Sequence, residues 1–302
     1  MTGIKDVLGI GNAMVDVISD VNDSFLDKHG LTKGAMTLID AGRAESLYSA
    51  VGACVEVSGG SVANTMAALA AAGAKSAYIG KVKDDQLGKV FRLEMEKAGV
   101  AFDVPAAASG PATGRCLVFV TKDGQRTMQT FLGAAATLAP EDVDPETVRG
   151  ARFVYLEGYL FDPPPAKAAF YKAAEIAHAA GRKVAMSLSD SFCVDRHRSD
   201  FSDFVNKHVD VLFANEDEVL SLAEAKEFEE AIDRLRGQCE ICAVTLGAKG
   251  SLILAGDLYA SGFLYGLARG KEPAACGELG SRMAAEVIGQ FGARLSVIPE
   301  LD

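Results

Sequence analysis

The chain has 302 residues, 49% hydrophobic and 24% charged, a composition that supports a large core and excludes disorder, collagen and a disulfide-stapled miniprotein. With 41 acidic and 30 basic residues the net charge is −11, which repels a phosphate backbone, so nucleic acid is not an expected partner. Lys5 and Asp6 interrupt the terminus where a signal peptide needs an apolar core, and no run approaches about 18 uncharged apolar residues, so a cytoplasmic protein without a membrane partner is expected, its six scattered cysteines reduced.

Along the first half, Val15 to Val21 and Gly34 to Ile39 read as β segments. Leu117 to Thr121 and Gln125 to Thr130, joined by Lys122-Asp123-Gly124, read as a hairpin. These strands lack the helices that would join them to a parallel sheet. They are expected to form a small β lid, about 15–39 and 114–131, inserted in a large α/β domain that makes 1–302 a single domain. The second half alternates apolar strands with helices. Phe153 to Leu156, Val184 to Leu188, Val209 to Phe213 and Ile241 to Thr245 read as strands, and Ala166 to Ala180, about Asp200 to Lys207 and the stretch from Glu216 read as helices. Consecutive apolar positions in strands separated by helices predict a mainly parallel, doubly wound sheet covered on both faces.

Several segments carry candidate chemistry, each beside a plainer structural alternative. Gly9-Ile10-Gly11-Asn12 begins like a dinucleotide fingerprint, but Met14 replaces the third glycine and a β-branched run follows, leaving a strand end with Asn12 and Asp16 near a cleft. Ser58-Gly59-Gly60-Ser61 precedes an alanine-rich helix carrying Asn64; the glycines allow close backbone approach to a ligand, and the alternative is a turn with Ser61 as helix cap. Asn215 to Glu218 follows a strand, where carboxylates suit Mg²⁺ held largely through water or simply favour a helix start. Thr245, Gly247 and Gly250 lie in a strand and turn suited to packing a nucleotide, though the Walker spacing is absent. Ala255-Gly256-Asp257 opens an apolar helix whose amides form an anion hole, with Asp257 as proton acceptor or as a cap. Arg115 and Arg126 put cations near the lid or are solvated surface arginines, and the lone Cys239-Glu240-Ile241-Cys242, with no second pair and no histidine at metal-finger spacing, is not expected to carry metal or redox chemistry.

Singly these motifs are weak, but their order resembles the ribokinase-like (phosphofructokinase-B type) carbohydrate and purine kinase family across almost the whole chain. The wording is most similar to its adenosine-phosphorylating branch in Gly11-Asn12-Ala13-Met14-Val15-Asp16, Phe25-Leu26-Asp27-Lys28, Ser187-Leu188-Ser189 and Val209 to Glu216. The resemblance implies a three-layer α/β sandwich with a β lid, and ATP-dependent phosphorylation of a primary hydroxyl, adenosine being the expected acceptor and a sugar or a non-catalytic binding role the alternatives. It implies Asp257 as the base, with Ala255, Gly256 and the Asp257 amide as anion hole. Asp16, Gly60 and Asn64 would grip ribose hydroxyls, with Asn12 close by and Gly59 in the same turn. Asn215 and Glu218 would organise Mg²⁺ and phosphates, and Thr245, Gly247 and Gly250 would line the ATP site. Arg126 matches a lid arginine near the phosphates and Tyr159 an aromatic position in the purine pocket. A monovalent cation and a monomeric or homodimeric state are compatible with the family.

One departure stands out. Ser251-Leu252-Ile253-Leu254 runs directly into Ala255-Gly256-Asp257, where the family has a further strand and loop, and a strand joined to a helix without a loop falls outside ordinary connection lengths. Either a segment is missing before Ala255, which is the expectation, or the anion hole is damaged.

Overall fold

The computed structural model describes residues 4–247, 251–252 and 257–288. The first half runs β1 (Lys5–Ile10), β2 (Met14–Asp20), α1 (Asp23–His29), β3 (Met36–Leu38), α2 (Ala41–Ala50), β4 (Val55–Gly59), α3 (Ser61–Ala71), β5 (Ser76–Ile79), α4 (Gln86–Lys97), β6 (Gly114–Val120) and β7 (Arg126–Phe131). The second half runs α5 (Pro145–Arg149), β8 (Ala151–Glu157), α6 (Pro164–Ala179), β9 (Lys183–Ser187), α7 (Ser191–His208), β10 (Val211–Asn215), α8 (Glu216–Ala223), α9 (Phe228–Leu235), β11 (Ile241–Thr245), β12 (Ser251–Leu252), α10 (Asp257–Ala268) and α11 (Pro273–Ile288).

Seven strands form the main sheet in the order β12-β11-β10-β9-β8-β1-β5. All neighbours are parallel except β12, which runs against β11. Val154, Tyr155, Leu156, Val184, Ala185, Met186, Leu212 and Phe213 are buried at consecutive strand positions, as a sheet covered on both faces requires. Helices α3 and α10 pack beside each other against β1, and α6 packs on β8 and β9. The doubly wound α/β fold is therefore the one the alternating pattern predicts. From β1 the chain moves to β5 on one side and later returns to β8 on the other, so the carboxyl ends of β1 and β8 bound a topological switch point, the crevice where open α/β sheets bind ligands.

The second sheet has the order β3-β7-β6-β2-β4 and takes up the segments that lacked crossover helices. Its alternation assigns its faces. Val15, Val17, Leu117 and Phe119 enter the main core, while Met14, Ile18, Cys116 and Val118 form a separate apolar cluster on the opposite face. Asp16 shares that second face with Met14 and Ile18, a carboxylate among apolar side chains.

The sequence pattern leaves β4 and β5 unassigned. Helix α7 begins earlier than the expected Asp200. Asp190 caps it through the amides of Phe192 and Cys193, and a break at His197 (φ −127°, ψ 25°) divides it, so only its second half, with buried Phe201, Phe204 and Val205, shows helical spacing. Histidines that look dispersed in sequence converge: the His178 and His208 rings stack at 6.2 Å, and His178 Nε2 lies 3.0 Å from Asp210 Oδ2.

Asp210 fastens β9 to β10. It accepts from the Val184 amide at 2.7 Å and from Lys183 Nζ at 3.0 Å. Burial alone would raise its pKa, but the Val184 amide, Lys183 and His178 outweigh that and hold it below the usual carboxylate value. A depressed folded pKa contributes stability that is fully present above the unfolded value, about 3.9, and lost as pH falls through the folded one. Asp210→Asn is therefore expected to cost about 1–3 kcal/mol at pH 7. Urea midpoints of the two proteins should stay apart above about pH 5 and converge below about pH 4. A gap that persists undiminished at pH 3 would show that the carboxylate charge is not what stabilises this junction.

Candidate active site

Between the switch point and the second sheet lies a cavity of about 680 Å³. Asn12, Gly60, Ser61, Glu157 and Tyr159 line it from the main domain. Met14, Asp16, Cys116, Met128, Thr130 and Leu132 line it from the second sheet. Met36 and Leu38 at the edge strand are 44% and 52% exposed, and Phe192 from the first turn of α7 is 72% exposed, so large apolar side chains ring the opening. Exposed apolar groups converging on a cavity with a few polar atoms are the usual signature of a ligand site.

Glu157, which sequence reasoning passed over, organises the floor. It ends β8 and is 1% exposed, and its Oε1 accepts from the Asn12 amide at 2.8 Å and from Asn12 Nδ2 at 2.6 Å. Its Oε2 accepts from the Val62 amide at 3.0 Å, at the start of α3. One buried carboxylate thus ties together β1, β8 and α3. Because Asn12 donates through Nδ2, its Oδ1 is left buried without a partner, and Ser61 Oγ and Asn64 Oδ1 are likewise unpartnered. Unsatisfied buried polar atoms are costly in a bare protein, and those of Asn12 and Ser61, which line the cavity, suit a ligand that brings hydroxyl groups. The only sequence-level sign of Glu157 was an acidic residue ending an apolar strand.

The glycines are there for space. Gly60 has φ +96°, and a Cβ on it would come within 2.2 Å of the Asn12 carbonyl. A Cβ on Gly59 would come within 2.4 Å of the Asp16 carboxylate. Asp16 therefore lies directly against this turn. Gly60, not Ser61, occupies the cap position of α3, and the first-turn amide of Val62 goes to Glu157, so the capping alternative for Ser61 is not realised. Burial and the neighbouring Asp16 push the Cys116 thiol up to about 12, which keeps it protonated in the cavity wall.

Other candidate residues fall at different distances from the cavity. Tyr159 lines it, and its hydroxyl donates to the Ser189 carbonyl at 3.1 Å. Asn64 lies one turn along α3, with its amide bonded to the Gly60 carbonyl, behind the lining residues. Arg126 is exposed at the start of β7, two residues before cavity-lining Met128 and on the same strand face. Arg115 is not available to a phosphate: it is buried, bonds Glu45 at 2.7 Å and lies over the Tyr48 ring.

Asn215 and Glu218 form a capping box at the carboxyl end of β10, so the structural alternative is realised there. Each Glu218 oxygen takes one bond from Asn215, at 2.7 and 3.0 Å. Both oxygens of this buried carboxylate are engaged in the cap, which suits a cation held through water rather than one coordinated directly. Among the described residues no group of three or more His, Cys, Asp or Glu is placed to hold a metal ion, and no helix is long and apolar enough to cross a membrane.

Thr245 ends β11 opposite Asn215, and Gly247 follows with φ +56°. Gly250, Ala255 and Gly256 lie outside the described residues. Asp257 is the first residue of α10. At the other end of that helix, Arg152 from the start of β8 bonds the Ala268 carbonyl at 2.9 Å, which pins the helix C-terminus to the amino edge of the sheet. Twelve residues at ~1.5 Å each run the length of a strand, so α10 begins at the carboxyl edge that also carries Asn12 and Glu157.

The cavity mouth holds a cluster with no sequence signature. Asp162 accepts from Arg196 at 3.1 and 2.8 Å and faces His197 at 2.7 Å. Its partners are 34 and 35 residues away, at the break in α7.

The model of the pfkB family of carbohydrate kinases matches residues 10–254 and 255–301. The break between the two blocks falls at the Leu254–Ala255 junction. A solved adenosine kinase from Sinorhizobium meliloti is 46% identical, with a TM-score of 0.90 over 98% of this chain and 97% of that one. A probable sugar kinase from Rhizobium etli is 45% identical, with a TM-score of 0.91 over the same shares. The adenosine kinase of Dictyostelium discoideum is 26% identical over 97% of each chain. That alignment spans 338 positions against a chain of 302, so the relative carries residues this chain lacks.

Proposed function

The chain belongs to the pfkB family of carbohydrate kinases, and from that premise we propose that it transfers the γ-phosphoryl group of ATP to the primary 5′ hydroxyl of a nucleoside, adenosine. The observation that carries the nucleoside reading is the cavity's composition. Its polar floor suits a ribose, while Met36, Leu38, Met128, Leu132 and Phe192 supply an apolar wall that a free sugar would leave uncovered. The similarity to the S. meliloti adenosine kinase supports the same choice.

On this reading Asp16, Asn12 and the Gly59-Gly60 turn hold the ribose hydroxyls, assisted by Asn64. Tyr159 and the apolar rim hold the base. Thr245, Gly247 and Gly250 line the nucleotide side, with Glu218 and Asn215 holding Mg²⁺ through water, and Mg²⁺ supplies charge neutralisation of the phosphates when bound. Arg126 approaches from the second sheet, which acts as the lid and excludes water that would compete for the phosphoryl group. Ala255, Gly256 and the Asp257 amide stabilise charge on that group, and Asp257 takes the hydroxyl proton.

A panel of adenosine, guanosine, inosine, ribose and fructose, read as ADP release, tests the reading. Covering a purine face of about 120 Å² at roughly 25 cal/mol/Å² gives about 3 kcal/mol that a sugar cannot recover, so kcat/KM for adenosine should exceed that for ribose by about 10²-fold or more. Equal turnover of ribose or fructose would move the assignment to a sugar kinase. The abrupt Leu254–Ala255 junction gives a second reading, a nucleoside-binding protein without catalysis. Saturable adenosine binding with no stimulated ATP consumption would establish it.

A further inference from the structure

Cys239 and Cys242 play no part in the candidate active site. Cys239 lies between α9 and β11, and Cys242 is the second residue of β11, near that strand's amino end, whereas the cleft is at the carboxyl end. Both are partly exposed and both line a separate cavity of about 330 Å³, with Ile232, Leu235, Arg236 and Glu240. The Cys239 thiol turns back over the start of β11, where its S–H donates to the Ile241 carbonyl at 3.3 Å, and both cysteines face the same small cavity. Among the other cysteines, Cys116, Cys193 and Cys276 are buried and Cys54 is partly exposed.

We propose that Cys239 and Cys242 form a redox-active dithiol, which a low-molecular-weight disulfide of the glutathione type converts to an internal disulfide, with Cys239 as the attacking sulfur. The environment sets the order of attack. A hydrogen bond from Cys242 holds Cys239 below the ordinary thiol value against the effect of burial, with help from the Leu212 amide and opposition from Asp210. The same hydrogen bond and burial push Cys242 far up. Lys183 pairs with both Asp210 and Glu240, and Arg236 lines the cavity, so the negative groups near Cys239 are partly compensated. A C-x-x-C pair with one depressed and one raised thiol is the arrangement that supports disulfide exchange.

The chemistry balances without a metal or flavin. The Cys239 thiolate attacks one sulfur of the small disulfide, whose S–S bond breaks and releases one thiolate, which takes up a proton. Cys242 then loses its proton to water and attacks the Cys239 sulfur, expelling the second thiolate. Two electrons pass from the protein dithiol to the small disulfide, giving one protein disulfide and two free thiols.

Treatment of the full chain with oxidised glutathione, followed by alkylation and peptide mapping, tests the assignment. The wild-type protein should lose two hydrogens, with Cys239 and Cys242 linked and no glutathione retained on either. Cys242→Ser should trap glutathione on Cys239, and Cys239→Ser should acquire it at Cys242 at least about tenfold more slowly. The wild-type map stands by itself if a variant folds poorly. A wild-type protein whose two cysteines stay free, or that keeps glutathione on either without a link, overturns the proposal. Equal rates of capture by the two variants also overturn it.

Discussion

Asp257→Asn is expected to lower kcat by about 10²–10⁴-fold, equivalent to about 3–5 kcal/mol in the transition state, with little change in adenosine or ATP binding. A sugar hydroxyl is a poor nucleophile at neutral pH, and phosphoryl transfer leaves a protein mainly positioning, charge stabilisation and one proton to remove. Asparagine keeps the shape of aspartate but cannot accept that proton. The start of α10 lies at the carboxyl edge of the main sheet, on the side of the cavity, because the Arg152–Ala268 bond fixes the other end of the helix at the amino edge. A capping role predicts the opposite outcome, since asparagine caps about as well as aspartate. Steady-state kinetics with a melting curve as a folding control separates the two. A kcat within about threefold of wild type, well under the general-base range, would reduce Asp257 to a helix-start residue and favour the binding-protein reading.

Legibility in the sequence followed the range of the interactions involved. Strands β8 to β11 were readable because each is a short apolar run between helices, and burial on both faces leaves no other way to satisfy it. The hairpin of β6 and β7 was readable from Lys122-Asp123-Gly124, a turn that acts through its own three residues. Glu157 was not readable as an organiser, because its partners Asn12 and Val62 are 145 and 95 residues distant and nothing local marks the pairing. Asp162 and Arg196 were missed for the same reason. Arg115 illustrates the reverse error: proximity in sequence to the lid suggested a phosphate contact, whereas strand alternation turns it away from Cys116 and the cavity, onto Glu45 and Tyr48. At Asn215 and Glu218 the capping box acts within four residues and is the reading that the fold realises, whereas the Mg²⁺ role rests on the resemblance alone.

Asp16→Ala is expected to raise KM for adenosine by about 10²-fold or more while leaving the fold intact, since a carboxylate accepting two hydroxyl groups forms charge-assisted bonds of roughly 1.5–3 kcal/mol each. The expectation rests on where the chain puts this side chain. Asp16 shares the cavity face of β2 with Met14 and Ile18, the one charged group among the described residues on that stretch of wall. Gly59, with no side chain of its own, leaves the space this carboxylate occupies. Stability should change little, because the hydrophobic anchors of β2 are Val15 and Val17 on the opposite face. KM for ATP should also hold, since Thr245 and Asn215 are at the far strands of the same edge. Asp16→Asn refines the result: it keeps one acceptor and loses the charge, so its KM should fall between wild type and alanine. An alanine variant with wild-type KM for adenosine would return Asp16 to a surface role and leave the unpartnered Asn12 oxygen and Ser61 hydroxyl as the ribose-facing groups.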